Sequence, residues 1–177
     1  STDEYTMADQ KARFAKAKKE NNQRVLDITS VYDPSFLTGA RVLITGGNRG
    51  LGLDMVKECV SHGAEVVAAC RKSSDELDAL DGVQVITGID VSSADACSKL
   101  SKEVSEPLDI VINNAGYFYE PVETIDSLNF DEEMKMINIC AVGPLRVTSI
   151  LFNSGKLKEG SKVVMITSQG GSVSWRT

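Results

Sequence analysis

The run RVLITGGNRGLGLDMVKECVSHG, Arg41 to Gly63, constrains the fold more than any other part of the chain. A short β-branched segment, RVLIT, runs straight into a glycine-rich turn and then into an amphipathic helical pattern closed by Gly63. The alternation continues downstream: EVVAAC as a second strand, SSDELDAL as a short serine-capped helix, VQVITGI as a third strand, SADACSKLSKEV as a helix and DIVIN as a fourth strand. A long helix is predicted from about Asn129 to Asn153, bent at Gly143-Pro144, and KVVMIT follows as a fifth strand. Continuous apolar strands separated by helices pack as a parallel sheet covered on both faces. The expected fold is therefore α/β, a doubly wound parallel sheet of five strands.

Residues 1–37 do not share this pattern. STDEYTMADQKARFAKAKKENNQRVLDI is polar and rich in Ala and Lys, and predicts a helix. Thr6 and Asp9 resemble a capping box, with the basic cluster Lys11, Arg13, Lys16, Lys18 and Lys19 further along, as the helix dipole favours. The segment reads either as a solvated arm or as a docking element with Phe14, Val25, Leu26 and Ile28 as anchors. VYDPSFLTG is the linker, so the predicted organisation is a helical extension over 1–37 and a sheet domain over 38–177.

Of 177 residues, 42% are hydrophobic and 25% charged, and the net charge is −6. That composition suits a soluble globular domain, and the acidic balance argues against nucleic acid as a partner. Cys59, Cys70, Cys97 and Cys140 have no paired spacing and there is one histidine, so no metal site is expected. All four cysteines fall in apolar patterns and read as buried free thiols of a reducing compartment. No apolar run reaches the roughly 20 residues of a membrane span. The cytoplasm is the favoured location, with a plastid or mitochondrion as the alternative if Ser1 is a processed start.

TGGNRGLG, Thr45 to Gly52, lies where a phosphate-binding turn belongs: after the first strand and opening the first helix. Gly46 permits the sharp turn, Gly50 a close approach of backbone to a pyrophosphate, and Gly52 close packing of helix on sheet. The spacing, T-G-x-x-x-G-x-G, is a variant of the Rossmann turn. The strand after it ends in AACRKSS, placing Arg71 and Lys72 where an NAD-specific site carries an acid for the ribose 2′-hydroxyl. Together with Arg49 these cations suit a 2′-phosphate, which favours NADP(H) over NAD(H). The competing reading leaves Arg71 and Lys72 in solvent at the strand end.

This variant turn resembles that of the short-chain dehydrogenase/reductase family, and four later motifs agree in order and interval. They are Asp90 in GIDV at the end of the third strand, NNAG from Asn113 to Gly116, Asn138 in MINICAVGP, and Ser168 in ITS. The wording NRGLGL is closest to the carbonyl-reductase-like branch. The resemblance covers residues 41–177 and implies an NAD(P)-binding Rossmann fold. Its cofactor residues would be Thr45, Gly46, Asn48, Arg49, Gly50, Leu51, Gly52, Arg71, Asp90, Val91, Asn114, Ala115 and Gly116. It implies hydride transfer to or from a small carbonyl or alcohol, with Ser168 orienting the substrate and Asn138 kinking the long helix and supporting a proton relay.

The family's proton donor is a tyrosine activated by a lysine four residues later. Tyr5, Tyr32, Tyr117 and Tyr119 have no such lysine, and only nine residues follow Ser168, too few to reach the family position. The chain as it stands is expected to bind a nucleotide without turning over. It reads as a piece of a longer enzyme, as a non-catalytic subunit docked in a larger assembly through its arm and bare sheet edge, or as a free fragment. Val163 to Ile166 would then form an uncovered, aggregation-prone edge. A homo-oligomer is the other expected assembly.

Four further features carry less weight. YFYEP, Tyr117 to Pro121, either lines the pocket or packs as an aromatic loop. His62 is expected to interact with carbonyls at the end of the first helix, and Met134 and Met136 to fill core. Trp175 and Arg176 fall where the family's substrate loop begins.

Overall fold

A computed structural model of the chain describes residues 7–119 and 123–168, with side-chain burial from residue 11. Thr6, Pro121, the Gly170-Gly171 turn, Trp175 and Arg176 lie outside the described residues, and with them the expectations placed there. The chain divides into two units, Ser1–Phe36 and Leu37–Thr177.

In the first unit, helix α1 spans Met7–Glu20, with Lys18 and Lys19 in its last turn. Lys18 Nζ lies 5.1 Å from the centre of the Phe14 ring, one turn back on the same face. The single helix expected through Ile28 is interrupted because Asn21 adopts a left-handed φ of 51°, a conformation that Asn tolerates and that ends helices. Helix α2, Gln23–Leu26, and a 3₁₀ turn, Ile28–Val31, follow. Phe14, Val25 and Ile28 are exposed, and Leu26 is half-buried.

In the second unit, strands β1 (Arg41–Thr45), β2 (Glu65–Ala69), β3 (Val83–Ile86), β4 (Leu108–Asn113) and β5 (Leu157–Met165) form one sheet in the order β3-β2-β1-β4-β5. Every pairing is parallel. The helices are α3 (Gly50–Ser61), α4 (Asp75–Asp78), α5 (Ala94–Glu103), α6 (Phe130–Ile137) and α7 (Gly143–Asn153). This is the doubly wound Rossmann-type arrangement the alternation predicted.

Side chains alternate across the strands, so one sheet fills two cores. Val42, Ile44, Val66, Ala68 and Ile110 face one side and pack with Leu53, Val56 and Cys59 of α3. Leu43, Val67, Ala69 and Val111 face the other and pack with Leu100 of α5 and Val147 and Leu151 of α7. Each fully buried aliphatic side chain contributes about 1.5–3 kcal/mol relative to exposure. Ser74 and Ser93 cap α4 and α5 by accepting the Leu77 and Ala96 N–H groups.

The long helix is irregular from Asn138, where the resemblance implies a kink, just ahead of the bend expected at Gly143-Pro144. Residues Asn138–Val142 form a π turn, closed by the Gly143 N–H on the Asn138 carbonyl. The cause is Pro144: without an N–H it cannot serve the Cys140 carbonyl four residues back, so the helix widens ahead of it. Gly143 then packs closely, since a Cβ there would stand 2.9 Å from Val91 Cγ2. From Phe130 to Asn153 the whole element is 24 residues, long and apolar enough by length and composition to cross a membrane. The acids at 131–133, Lys135 and Arg146 hide this in a search for an uninterrupted run. In the structure Val147 and Leu151 sit in the sheet core.

Met134 is exposed and Met136 half-buried, so neither fills core as expected. Strand β5 starts five residues before KVVMIT: Leu157 pairs Leu108, the register jumps, and Lys162 pairs Ile110, with Gly160 at a φ of 76° in the bulge. Its apolar residues Val163, Val164, Met165 and Ile166 are 38–48% exposed along the sheet edge.

Candidate functional site

The strand order reverses between β1 and β4, and in open α/β sheets the crevice at the carboxyl ends of such a pair is where ligands bind. A cleft of about 690 Å³ opens there. Gly46, Asn48, Arg49, Leu51, Gly52, Arg71, Asp90, Val91, Asn114, Ala115 and Gly116 all line it. These come from four separate segments of the sequence.

Thr45, wholly buried, holds the floor together rather than facing the space. Its Oγ1 accepts the N–H groups of Asn114 at 3.1 Å and Ala115 at 3.0 Å. In return, Asn114 Nδ2 donates to the carbonyls of Thr45 (3.0 Å) and Gly46 (3.3 Å). The side chain of Asn114 is thus committed to joining the two loops. Gly46 takes a φ of 71°, and a Cβ on it would meet Ala115 Cα at 3.0 Å. Ser74 Oγ donates to the Asn48 carbonyl at 2.7 Å, so the cap of α4 also fixes the glycine turn.

Helix α3 points its N-terminus at the cleft. Its N-cap, Arg49, makes no side-chain capping bond, and no acid stands in the first turn. The first N–H groups of a helix have no internal partner, and the dipole there favours an anion. Arg49, Arg71 and Lys72 are exposed and line the cleft. None of the three forms a contact ion pair among the described residues.

Asp90 does not end β3, which stops at Ile86. Single backbone bonds from Gly88 N–H to the Arg71 carbonyl and from Ile89 N–H to the Cys70 carbonyl, each 3.0 Å, carry the chain onward beside β2. Asp90 Oδ1 accepts the Ser92 hydroxyl at 2.6 Å and the Ser92 N–H at 2.9 Å. Those bonds hold its carboxyl below the usual carboxylate range, against partial burial and with help from the charges of Arg71 and Arg146.

Asn138 opens the π turn of the long helix. Its Oδ1 accepts Arg146 Nη2 at 3.0 Å, and Arg146 Nη1 donates to the Val91 carbonyl. It borders a separate shallow depression with Ser92, Met134, Lys135, Ile137 and Val142, not the cleft. The π turn places Cys140 toward the cleft loop instead: Sγ stands 3.3 Å from both the N–H and the carbonyl oxygen of Tyr117. Cys140 is exposed, whereas Cys59, Cys70 and Cys97 are buried and pushed above the usual thiol range by that burial. Gly50 opens α3 at a φ of 50° but does not line the cleft.

Ser168 lies three residues beyond β5 and is exposed. It is not among the residues that line the cleft. Cleft residues that the sequence reading did not assign to the site include Cys70, Ile89 and Ile139. Their only signal was position, at or just beyond a strand end or in the long helix. Tyr117 lines the cleft, and its hydroxyl donates to Glu132 Oε2 at 2.7 Å under a Lys135 ammonium 4.1 Å from the ring centre. The His62 ring meets the Glu58 carboxylate at 3.1 Å. No cluster of three or more metal-ligating side chains exists among the described residues.

Sheet order, glycine turn and cleft together define a Rossmann-type protein. The family model for the short chain dehydrogenases matches residues 40–177, and the chain belongs to the short-chain dehydrogenase/reductase family of oxidoreductases. It is 32% identical over 135 residues to the 1-hydroxy-2-glutathionyl-2-methyl-3-butene dehydrogenase of Rhodococcus sp. (strain AD45), covering 75% of this chain and 58% of that protein. Among solved structures, a short-chain alcohol dehydrogenase of Burkholderia multivorans superimposes with a TM-score of 0.69 at 26% identity, covering 76% of this chain and 65% of that one. A short-chain dehydrogenase/reductase of the same organism, with bound NADP, gives a TM-score of 0.68 at 25% identity, covering 77% and 62%. The chain spans about half the length of the curated relatives it matches.

Proposed function

We propose that the Leu37–Thr177 unit binds NADP(H) in preference to NAD(H), as the nucleotide-holding part of an oxidoreductase acting on a small carbonyl or alcohol. The observation that carries this reading is the charge at the end of β2. Where an NAD site needs an acid, Arg71 and Lys72 stand at the cleft with Arg49, none of them in a contact ion pair among the described residues. A 2′-phosphate fits that cluster through charge-assisted hydrogen bonds. The NADP held by the Burkholderia relative is in keeping with this.

The α3 N-terminus and the turn from Gly46 to Gly52 would receive the pyrophosphate, with Gly46 giving the backbone its tight approach. Asp90 and Val91 would take the adenine side, and Ala115 and Gly116 would flank the dinucleotide across the cleft. The nicotinamide, when bound, supplies the hydride. Ser168, at the strand end beyond β5, would orient the substrate oxygen by its hydroxyl. The docked-subunit alternative draws no support from the relatives named above, all of them dehydrogenases or reductases.

Calorimetric titration of the chain with NADPH and with NADH tests the reading. Tighter NADPH binding is expected, and equal affinities would remove the charge argument.

A further inference from the structure

We infer that Cys140 is the positioning residue that fixes the wall of the cleft from Asn114 to Tyr117. The inference rests on the nucleotide-binding reading only for its effect on affinity. Asn114 and Ala115 are tied to Thr45, but beyond them the loop leaves the sheet. Among the described residues, the backbone N–H and carbonyl of Tyr117 have one partner between them, the Cys140 thiol, which accepts from the first and donates to the second. A thiol can do both at once because it carries one proton and free lone pairs.

The helix is shaped for this contact. A π turn adds one residue per turn, and such bulges re-aim side chains at functional sites. One residue of register is about 100° of rotation, enough to carry a side chain from one helix face to another. Asn138 faces Arg146, while Cys140, two residues on, faces the loop. Ile139, between them, lines the cleft directly. A Cβ on Gly116 would lie 3.9 Å from Cys140 Sγ, so the thiol also backs the residue before Tyr117. The Tyr117 side chain is held separately, its hydroxyl by Glu132 and its ring by Lys135, both earlier on the same long helix. The loop is therefore pinned by backbone at Cys140 and by side chain at α6.

Two readouts test this, one independent of any ligand. In Cys140→Ala, amide hydrogen exchange at Tyr117 should accelerate by about tenfold or more while β4 amides stay protected, and the NADPH Kd should rise by about three- to tenfold. Cys140→Ser, which keeps a donor and an acceptor, should restore both to within about twofold. Asn138→Ala should leave Tyr117 exchange as in wild type. Unchanged Tyr117 exchange in a folded Cys140→Ala protein would overturn the inference, as would acceleration in Asn138→Ala. If Cys140→Ala does not fold, N-ethylmaleimide alkylation of folded wild type at this exposed thiol makes the same comparison. Should wild type bind no nucleotide, the functional reading fails and the exchange data alone decide the role of Cys140.

Discussion

Gly52 lies so close beneath Gly46 that a Cβ on it would stand 2.1 Å from the Gly46 carbonyl oxygen and 2.5 Å from Asn114 Nδ2. Helix α3 can approach the sheet this closely only because position 52 has no side chain. Gly52→Ala should push the turn off the Thr45–Asn114 staple and cost about 3 kcal/mol, lowering the thermal midpoint by roughly 10 °C. Gly50 is the contrast: nothing lies within 4 Å of its Cβ position, and only its φ of 50° disfavours a side chain. Gly50→Ala should cost about 1 kcal/mol. Thermal unfolding of the two variants checks this, and equal losses would show that backbone conformation, not space, selects Gly52.

Arg71 stands at the end of the cleft where the reading places a 2′-phosphate. Removing one charge-assisted bond and adding a repulsive carboxylate should be worth roughly 1.5–3 kcal/mol, or about 10- to 100-fold in affinity. Arg71→Asp should therefore weaken NADPH by that factor while leaving NADH within about threefold. A uniform loss of both nucleotides would place Arg71 on the pyrophosphate or in the fold.

How much of this was legible follows from which interactions are local. RVLIT, the glycine turn and α3 were readable because strand, turn and helix each obey local rules, and eleven of the thirteen expected cofactor residues line the cleft. Of the other two, Thr45 is beneath it and Gly50 beside it. The π turn opens at Asn138, where the resemblance implies a kink, but the bond from the Asn138 side chain to Arg146, eight residues along the helix, has no local signal. Asp90 was read as a strand end because the chain keeps bonding to β2 after the regular ladder stops. The early start of β5 was hidden by a bulge around Gly160 that breaks the apolar run. Asn138→Ala should accordingly lower stability by about 1 kcal/mol, through its lost bond to Arg146, without changing nucleotide affinity by more than about twofold. Chemical denaturation and nucleotide titration together check both halves.

Asp90 makes stability depend on pH in a definite direction. Its folded pKa lies below the usual carboxylate value, chiefly through the Ser92 hydroxyl and N–H. A depressed carboxylate contributes stability above its unfolded pKa, near 3.9, and loses that contribution as pH falls through the lower folded value. Ser92→Ala removes the hydroxyl and keeps the backbone donor, so the Asp90 titration should move up toward the unfolded value and acid unfolding should begin at higher pH. NMR titration of the Asp90 carboxyl is the direct readout. An unmoved midpoint would assign the depression to the backbone N–H of residue 92 and the charges of Arg71 and Arg146 instead.

Among the described residues strand β5 pairs on one side only, and its apolar residues remain partly open: Val164 is 39% exposed and Met165 48%. An apolar edge strand offers both a hydrogen-bonding ladder and a greasy surface to another chain, and a lysine at such a position blunts both. Val164→Lys should therefore lower concentration-dependent self-association in sedimentation velocity while circular dichroism stays unchanged, because the lysine stem can cover the same neighbours with its charge in water. The long helix presents a second apolar surface through Leu145 (66% exposed) and Phe152 (71%). Phe152→Lys separates the two. If it abolishes association and Val164→Lys does not, the helix face and not the sheet edge is the adhesive surface of this chain.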